Sequence, residues 1–362
     1  MTPPPPLIIG AGPAGSAAAI ILSRSGVAPR LIERRRESQA GVCGGFLGWS
    51  GIAALRALGV DAWALGAQPI SRFRFVAGAR QVEASLPFTA AGISRRTLDA
   101  ALLRAAEEAG AAISLGRAVR AAEAGGRRVR LDNGEELDAD ALFLATGKHE
   151  LRGLPRSFTR SSAGLRTSLP VDGGRSEALR GVVEMHLFND GYAGLLLQDD
   201  GSANLCLSVG SERLSQAGGV PALLAQLMDE APCFAERLGG KVPLHFDAVA
   251  GVPYGWRARR GTAGLFRIGD QGAVTASLAG DGIAIALASG MNAARAFIQG
   301  GPQAAVDWQR SFFRQSRAPI GVAEALRHGA ASPAMRAVIM AALQWMPRIG
   351  TQAAKLTRFV RA

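Results

Sequence analysis

The chain has 362 residues, 48% of them hydrophobic and 19% charged. That length suits one large domain or two ordinary ones, and disorder is expected only around the prolines of positions 2–6. Its net charge of +12 comes from arginines spread over the whole length without interleaved aromatics, which excludes nucleic acid and leaves two readings, a solvated basic surface or attraction to anionic cofactors, substrates or membranes. The three cysteines, Cys43, Cys206 and Cys233, lie far apart and give neither a disulfide framework nor metal-ligand spacing, so no metal is expected.

Positions 7–10 read as a buried strand, 13–25 as a helix rich in Ala, Ile and Leu, and 29–33 as the next strand, together a βαβ unit. Positions 70–76 and 81–86 alternate as a hairpin, and 97–109 form a helix ended by Gly110. Short strands follow at 118–121, 129–131 and 141–145, the last running into Thr146-Gly147. From 182 to 209 the pattern is strand-like, with turns at Asn189-Asp190-Gly191 and Asp199-Asp200-Gly201. A short helix at 220–228, a buried strand at 265–269 and a helix at 283–298 come next. The chain is then helical from 307 to its end, with breaks at Pro319, Pro333 and Pro347. No internal repeat is present, and the order predicts an α/β domain with a sheet domain inserted into it.

The uncharged stretch 1–23 has no basic leading region and is interrupted by a glycine turn, so it is not read as a signal peptide. No other segment offers about 18 uninterrupted apolar residues, so no transmembrane span is expected. The expected location is the cytoplasm, with peripheral membrane contact as an alternative. That alternative rests on the tail 334–361, which mixes Met, Ile, Leu, Trp and Phe with Arg336, Arg348, Lys355, Arg358 and Arg361 and would form a basic amphipathic helix. Packing of this stripe on its own domain is the favoured reading.

The strongest motif is Gly10-Ala11-Gly12-Pro13-Ala14-Gly15. Gly10 permits the turn after the strand, Gly12 lets backbone approach a pyrophosphate, and Gly15 lets helix and strand pack closely. The helix then offers free amides and a positive dipole end to phosphates. Glu33 ends the next strand, where a carboxylate holds ribose hydroxyls and repels a 2′-phosphate. Arg34, with Arg35 and Arg36, lines the adenine pocket or faces water. About 260 positions after the first motif, Gly269-Asp270 and Gly280-Asp281-Gly282 make a second strand-to-helix turn. Two such turns suit a long extended cofactor held at both ends.

Five segments in order, Gly10–Gly15, Cys43-Gly44-Gly45, Arg95-Arg96-Thr97-Leu98-Asp99, Ala145-Thr146-Gly147-Lys148-His149 and Gly269-Asp270 with Gly280-Asp281-Gly282, give the chain a family resemblance. It resembles the flavoprotein superfamily of para-hydroxybenzoate hydroxylase and the geranylgeranyl reductases. The likeness is strongest to the reductase-like branch that includes polyketide-linked FAD monooxygenases. The resemblance implies a Rossmann-like FAD/NAD(P)-binding domain of glutathione-reductase type at 1–68, 93–160 and 250–300. It adds a β-sheet substrate domain at 69–92 and 161–249 and a helical C-terminal region at 301–362. It implies FAD as cofactor. Asp270, after Gly269, would meet the ribityl chain, and Gly280, Gly282 and Ile283 the flavin pyrimidine. Arg95 would contact the cofactor, with Arg96 as the alternative register. Pro13, Ala14, Val119 and Gly147 are expected along the same site.

In the reductase-like branch a Cys-Gly pair lies close to the isoalloxazine ring. Cys43 therefore reads as a catalytic thiol or as a small buried residue, with Gly44 and Gly45 allowing close backbone approach. Tyr192 falls where the geranylgeranyl reductases carry an aromatic stretch against substrate, and it reads as a substrate contact or an ordinary strand tyrosine. The Trp and Phe of that stretch are replaced by Gly194 and Leu196, which weakens the case for a prenyl substrate. Lys148 and His149 read as phosphate neighbours or proton carriers, with a structural role favoured. The implied activity is monooxygenation of a hydrophobic aromatic or polyketide-type molecule; the alternative is reduction of isoprenoid or other C=C bonds. A non-catalytic binding protein of the GDP-dissociation-inhibitor kind is a third reading, separable by whether the protein takes up FAD. No second dinucleotide fingerprint is present, so NAD(P)H binds transiently or a separate donor delivers electrons.

Overall fold

The computed structural model describes residues 4–158, 162–346 and 348–359. Thr2, Pro3, Pro347, the Arg348 side chain and Arg361 lie outside them. The elements in chain order begin with strand β1 (Leu7–Ile9), helix α1 (Pro13–Arg24), β2 (Arg30–Glu33), β3 (Phe46–Leu47) and α2 (Trp49–Ala57). They continue with β4 (Gln68–Ala77), β5 (Arg80–Gly92), α3 (Arg95–Glu108), β6 (Ala112–Leu115), β7 (Val119–Ala122), β8 (Arg128–Leu131), β9 (Glu136–Asp138) and β10 (Leu142–Leu144). Then come β11 (Ser162–Leu169), α4 (Gly173–Leu179), β12 (Val182–Phe188), β13 (Gly191–Leu197), β14 (Ala203–Gly210), α5 (Ser211–Gln216), α6 (Val220–Glu230) and α7 (Pro232–Leu238). The last are β15 (Asp247–Ala250), β16 (Leu265–Arg267), α8 (Gly282–Gly300), α9 (Ala304–Gln315), α10 (Arg317–Ala331), α11 (Pro333–Trp345) and α12 (Arg348–Leu356).

A parallel sheet of order β16-β10-β1-β2-β6 carries the first motif. Its central strands are buried along their whole length, as a parallel sheet covered on both faces requires. The two-residue side-chain period divides each strand between the covers. Ile8 and Phe143 join the core with α1, α3 and α8, whereas Leu7, Ile9, Leu142 and Leu144 pack on Val129, Leu131 and Leu137 of the small antiparallel sheet β7-β8-β9. This is the expected α/β, Rossmann-like architecture.

A second sheet has eight strands in the order β15-β11-β14-β13-β12-β4-β5-β3. The β4–β5 hairpin joins it through a parallel pairing of β4 with β12. Along β14, Leu205, Leu207 and Val209 pack with Leu223, Leu224 and Phe234 of α6 and α7. The alternate residues Asn204 and Cys206 turn to the opposite face, which looks toward the glycine turns. Asp190 takes φ +58° in the β12–β13 turn, a conformation an Asp tolerates better than most residues.

The helices α10 to α12 pack against the eight-stranded sheet, while α9 inserts Trp308 and Phe312 beside Phe266. The expected break at Pro319 falls at Ser316 instead. Pro319 sits in the first turn of α10, where its missing N–H costs nothing. Pro333 opens α11. Among the described residues, no helix is long and apolar enough to cross a membrane.

Candidate functional site

Gly10 follows β1 with φ +102°, and a Cβ there would sit 2.5 Å from the Ala145 carbonyl oxygen. A Cβ on Gly15 would lie 1.9 Å from the Gly10 carbonyl oxygen, so α1 seats directly against the turn. Gly12 differs. Its backbone is ordinary at φ −73°, and a Cβ would meet only Arg95 Nη2, at 3.5 Å. Nothing among the described residues requires glycine at Gly12; a side chain there would fill the cleft above. Gly44 likewise faces open space, with no described atom within 4 Å of a Cβ; Gly147 does too, although its φ of +62° by itself favours glycine.

No side chain caps α1, so its first amides are free. The Glu33 carboxylate is pinned at the end of β2, accepting from the Ala11 amide at 2.9 Å and the Arg35 amide at 3.0 Å. Arg95 opens α3 and donates twice to Asp99, at 2.9 and 2.7 Å. Burial alone would lower the Arg95 pKa, but the Asp99 carboxylate outweighs it and raises it, so the guanidinium stays charged. Arg96 is exposed and does not border the cleft described below.

The second half closes on the first through three side chains. Lys148 Nζ lies 3.2 Å from Asp270 and donates to the Val42 carbonyl at 3.4 Å. The Asp270 carboxylate raises the Lys148 pKa against the effect of burial. Arg156, its side chain wholly buried, donates to the Asp270 carbonyl at 2.7 Å and the Lys148 carbonyl at 3.0 Å. Gln271 Nε2 donates to the carbonyls of Gly147 and His149 at 2.9 and 2.8 Å. Arg34 reaches His149 at 2.7 Å, and burial together with Arg34 and Arg35 lowers the histidine's pKa.

Cys43 is half-buried, its sulfur accepting from the Gly45 amide at 3.5 Å and its carbonyl from Asn204 at 3.0 Å. Cys206 lines the same space, and burial pushes its thiol up to about 12. Gly280 takes φ +65° against the Phe46 ring, and Gly282 opens α8.

These groups line one cleft of about 460 Å³. Gly10, Gly12, Pro13, Ala14, Glu33, Arg34, Cys43, Gly44, Gly45, Arg95, Val119, Gly147, Gly269, Asp270, Gly280, Gly282 and Ile283 all border it. Gly15 does not; it lies beneath the turn, in the packing role its motif position implies. Tyr192 does not border it either. It is 2% exposed among Met185, Leu187 and Met340, and its hydroxyl meets Ser277 at 2.5 Å and the Leu278 amide at 3.0 Å. Ala330 of α10 and Met340 of α11 cover it there. Sequence reasoning passed over Arg156, Gln271 and Thr275. Gln271 directly follows the Gly269-Asp270 pair and was findable. Arg156 belongs to no motif.

A parallel sheet with glycine turns at both ends of one long cleft defines an FAD-binding flavoprotein, and the residues fit that cofactor. The bare backbone at Gly12, Gly44 and Gly147 leaves room for an occupant, and the buried Thr275 hydroxyl beside it has no partner among the described residues. Residues 5–145 match the FAD binding domain family. Two curated relatives are a putative 2-heptyl-3-hydroxy-4(1H)-quinolone synthase of Rhodococcus erythropolis and digeranylgeranylglycerophospholipid reductase 2 of Methanopyrus kandleri. The first is 34% identical over 147 residues, 39% of this chain and 38% of the relative, so the shared stretch is well under half of that protein. The second is 28% identical over 310 residues, 78% of this chain and 74% of the relative. Among solved structures, the flavin-dependent brominase Bmp2 shares the fold, with TM-score 0.78 at 17% identity over 98% of this chain and 93% of that one. Residues 5–145 thus carry an FAD binding domain, and the chain is similar both to a quinolone synthase and to a geranylgeranyl-type reductase.

Proposed function

We propose that the protein is an FAD-dependent monooxygenase acting on a hydrophobic, aromatic or polyketide-type small molecule. The observation that carries this reading is the continuity of the cleft. It runs from Gly10–Gly12 past Asp270 and Gly280 onto the inner face of the eight-stranded sheet, among Gly164, Cys206, Val249, Val252 and Tyr254. Bound there, FAD supplies hydride acceptance and, once reduced, activation of O₂.

The protein's share is binding, orientation and exclusion of water. The free α1 amides would meet the pyrophosphate with the Arg95 charge beside them, and Glu33 would hold ribose hydroxyls. Asp270, fixed by Lys148 and Arg156, would receive the ribityl hydroxyls. The amides of Gly282 and Ile283 would face the pyrimidine edge, where the positive end of α8 favours the electron-rich reduced ring. Val249, Val252 and the methyl of Thr275 would give the substrate a largely apolar wall. NAD(P)H visiting transiently, or a separate donor, would supply the electrons.

The runner-up, reduction of a C=C bond, is favoured by one observation: the Cys43–Gly45 loop borders the cleft, as the reductase resemblance implies. The test is to reduce the FAD-loaded protein anaerobically and mix it with O₂ and a panel of aromatic substrates. Oxygen uptake matched one-to-one by hydroxylated product is the expected result. Peroxide release with every aromatic, together with anaerobic saturation of an alkene, would replace the monooxygenase by the reductase. A colourless protein that cannot take up FAD would defeat both.

A further inference from the structure

The turn that opens α8 departs from its local preference. Asp281 occupies the N-cap, where an aspartate ordinarily accepts from the amides two and three residues on. Here its side chain caps nothing, and its backbone, at φ −110° and ψ 1°, is far from the extended shape that capping uses. The carboxylate is fully buried and turned toward the far end of the chain. One oxygen accepts from Arg358 Nη1 at 3.0 Å and the other from the Phe359 amide at 2.6 Å. Arg358, its side chain 4% exposed, also donates to the Gly280 carbonyl at 3.2 Å and to Ala354 at the end of α12 at 3.2 Å. Its guanidinium lies 5.4 Å from the ring centroids of both Phe46 and Phe88. Gly280, Gly282 and Ile283 border the cleft on the other side of this contact.

We propose that residues 357–359 form a strap that draws the Asp281 carboxylate off its own helix and so keeps the first α8 amides available to the flavin, making Arg358 a positioning residue of the cofactor site. Without the strap, the carboxylate loses its partners, and the first α8 amides, which no side chain caps, are donors within its own turn. The turn at Asp281 would then relax to the extended backbone that capping uses, and the carboxylate would fill the seat from inside and put a negative charge where the ring needs positive potential. The inference rests on assigning those amides to the flavin.

The proposal separates from a merely structural role because it makes Asp281 the culprit. FAD affinity is read by fluorescence titration of apoprotein, with folding of each variant followed by far-ultraviolet circular dichroism. Arg358→Gln is expected to raise the FAD dissociation constant about tenfold or more. Removing the competing carboxylate as well, in Asp281→Ala with Arg358→Gln, is expected to return it to within about threefold of the unaltered protein. A double variant that binds as weakly as the single one, or a single variant that binds normally, overturns the strap. Should Arg358→Gln not fold, Arg358→Lys, alone and with Asp281→Ala, is judged by the same two results. An unaltered protein that binds FAD tightly but turns over no aromatic substrate counts against the proposed function and leaves this inference standing.

Discussion

At the scale of single residues, the informative distinction is between glycines that the protein itself requires and glycines that only an occupant explains. Gly10 and Gly15 belong to the first kind, because a Cβ on either would strike backbone. Gly12 belongs to the second. Gly12→Val should therefore raise the FAD dissociation constant roughly 100-fold, about 2.7 kcal/mol, while the apoprotein melts within a degree or two of the unaltered one. Equal loss of apoprotein stability would show that the glycine serves packing instead. Cys43 borders the cleft half-buried with its sulfur on the Gly45 amide. Cys43→Ala should lower kcat severalfold with KM for the substrate nearly constant if the thiol acts at the ring; an unchanged kcat removes it from the chemistry. The glycine motif was legible because an apolar strand, its spacing and Glu33 all lie within one short segment. The Asp281–Arg358 contact was not, since its partners stand 77 positions apart and the glycine turn and the basic tail stripe that hold them carry no sign of pairing with each other.

At the scale of elements, the joint between β4 and β12 carries a buried charge cluster. Glu184 is 1% exposed and meets Arg74 at 2.5 Å directly across that joint, with Arg237 at 3.0 Å and His186 at 2.8 Å completing the cluster. Burial alone would raise the Glu184 carboxyl, but the His186 hydrogen bond and the two arginines hold it at about 2. A depressed carboxylate contributes stability that is fully present above its unfolded value of 4.5 and is lost as the pH falls from there toward about 2. Glu184→Gln should destabilise the protein by about 1–3 kcal/mol at pH 7, since Arg74 and Arg237 lose their shared buried carboxylate and keep only Glu83 and Glu236. Its acid unfolding curve should also be flatter below pH 4.5 than that of the unaltered protein. A denaturant midpoint that does not move would show the cluster to be of no consequence. The two hairpin turns at Asp190 and Asp200 were readable because turn residues sit between strand-like runs. Strand β11, Ser-Ala-Gly-Leu-Arg-Thr-Ser-Leu, was not, because small and polar residues give no period and its pairing with β14 is entirely long-range. Helix α2 escaped for a similar reason, with Gly51 inside a nine-residue span.

At the scale of the whole molecule, one cleft is walled by segments from both halves of the chain, so ligand and fold are thermodynamically linked. FAD at 100 times its dissociation constant should add about 2.7 kcal/mol of stability. For a chain of this size that corresponds to roughly 3–5 °C in Tm. Circular dichroism melts with and without FAD measure it, and coincident curves would contradict binding to the folded protein alone. The shared sheet also has a history within each round of synthesis. The apolar residues of β4 wait for partners in β12, and Arg74 and Glu184 are 110 residues apart. At about 5–20 residues per second, translation leaves that hairpin edge bare for roughly five to twenty seconds. The newborn chain thus presents an open β edge bearing Ile70, Phe73 and Val76 while still on the ribosome. Nascent chains stalled before Val182 should be captured by holdase chaperones, and those stalled some 30 to 40 residues beyond Phe188, once the exit tunnel is cleared, should be released.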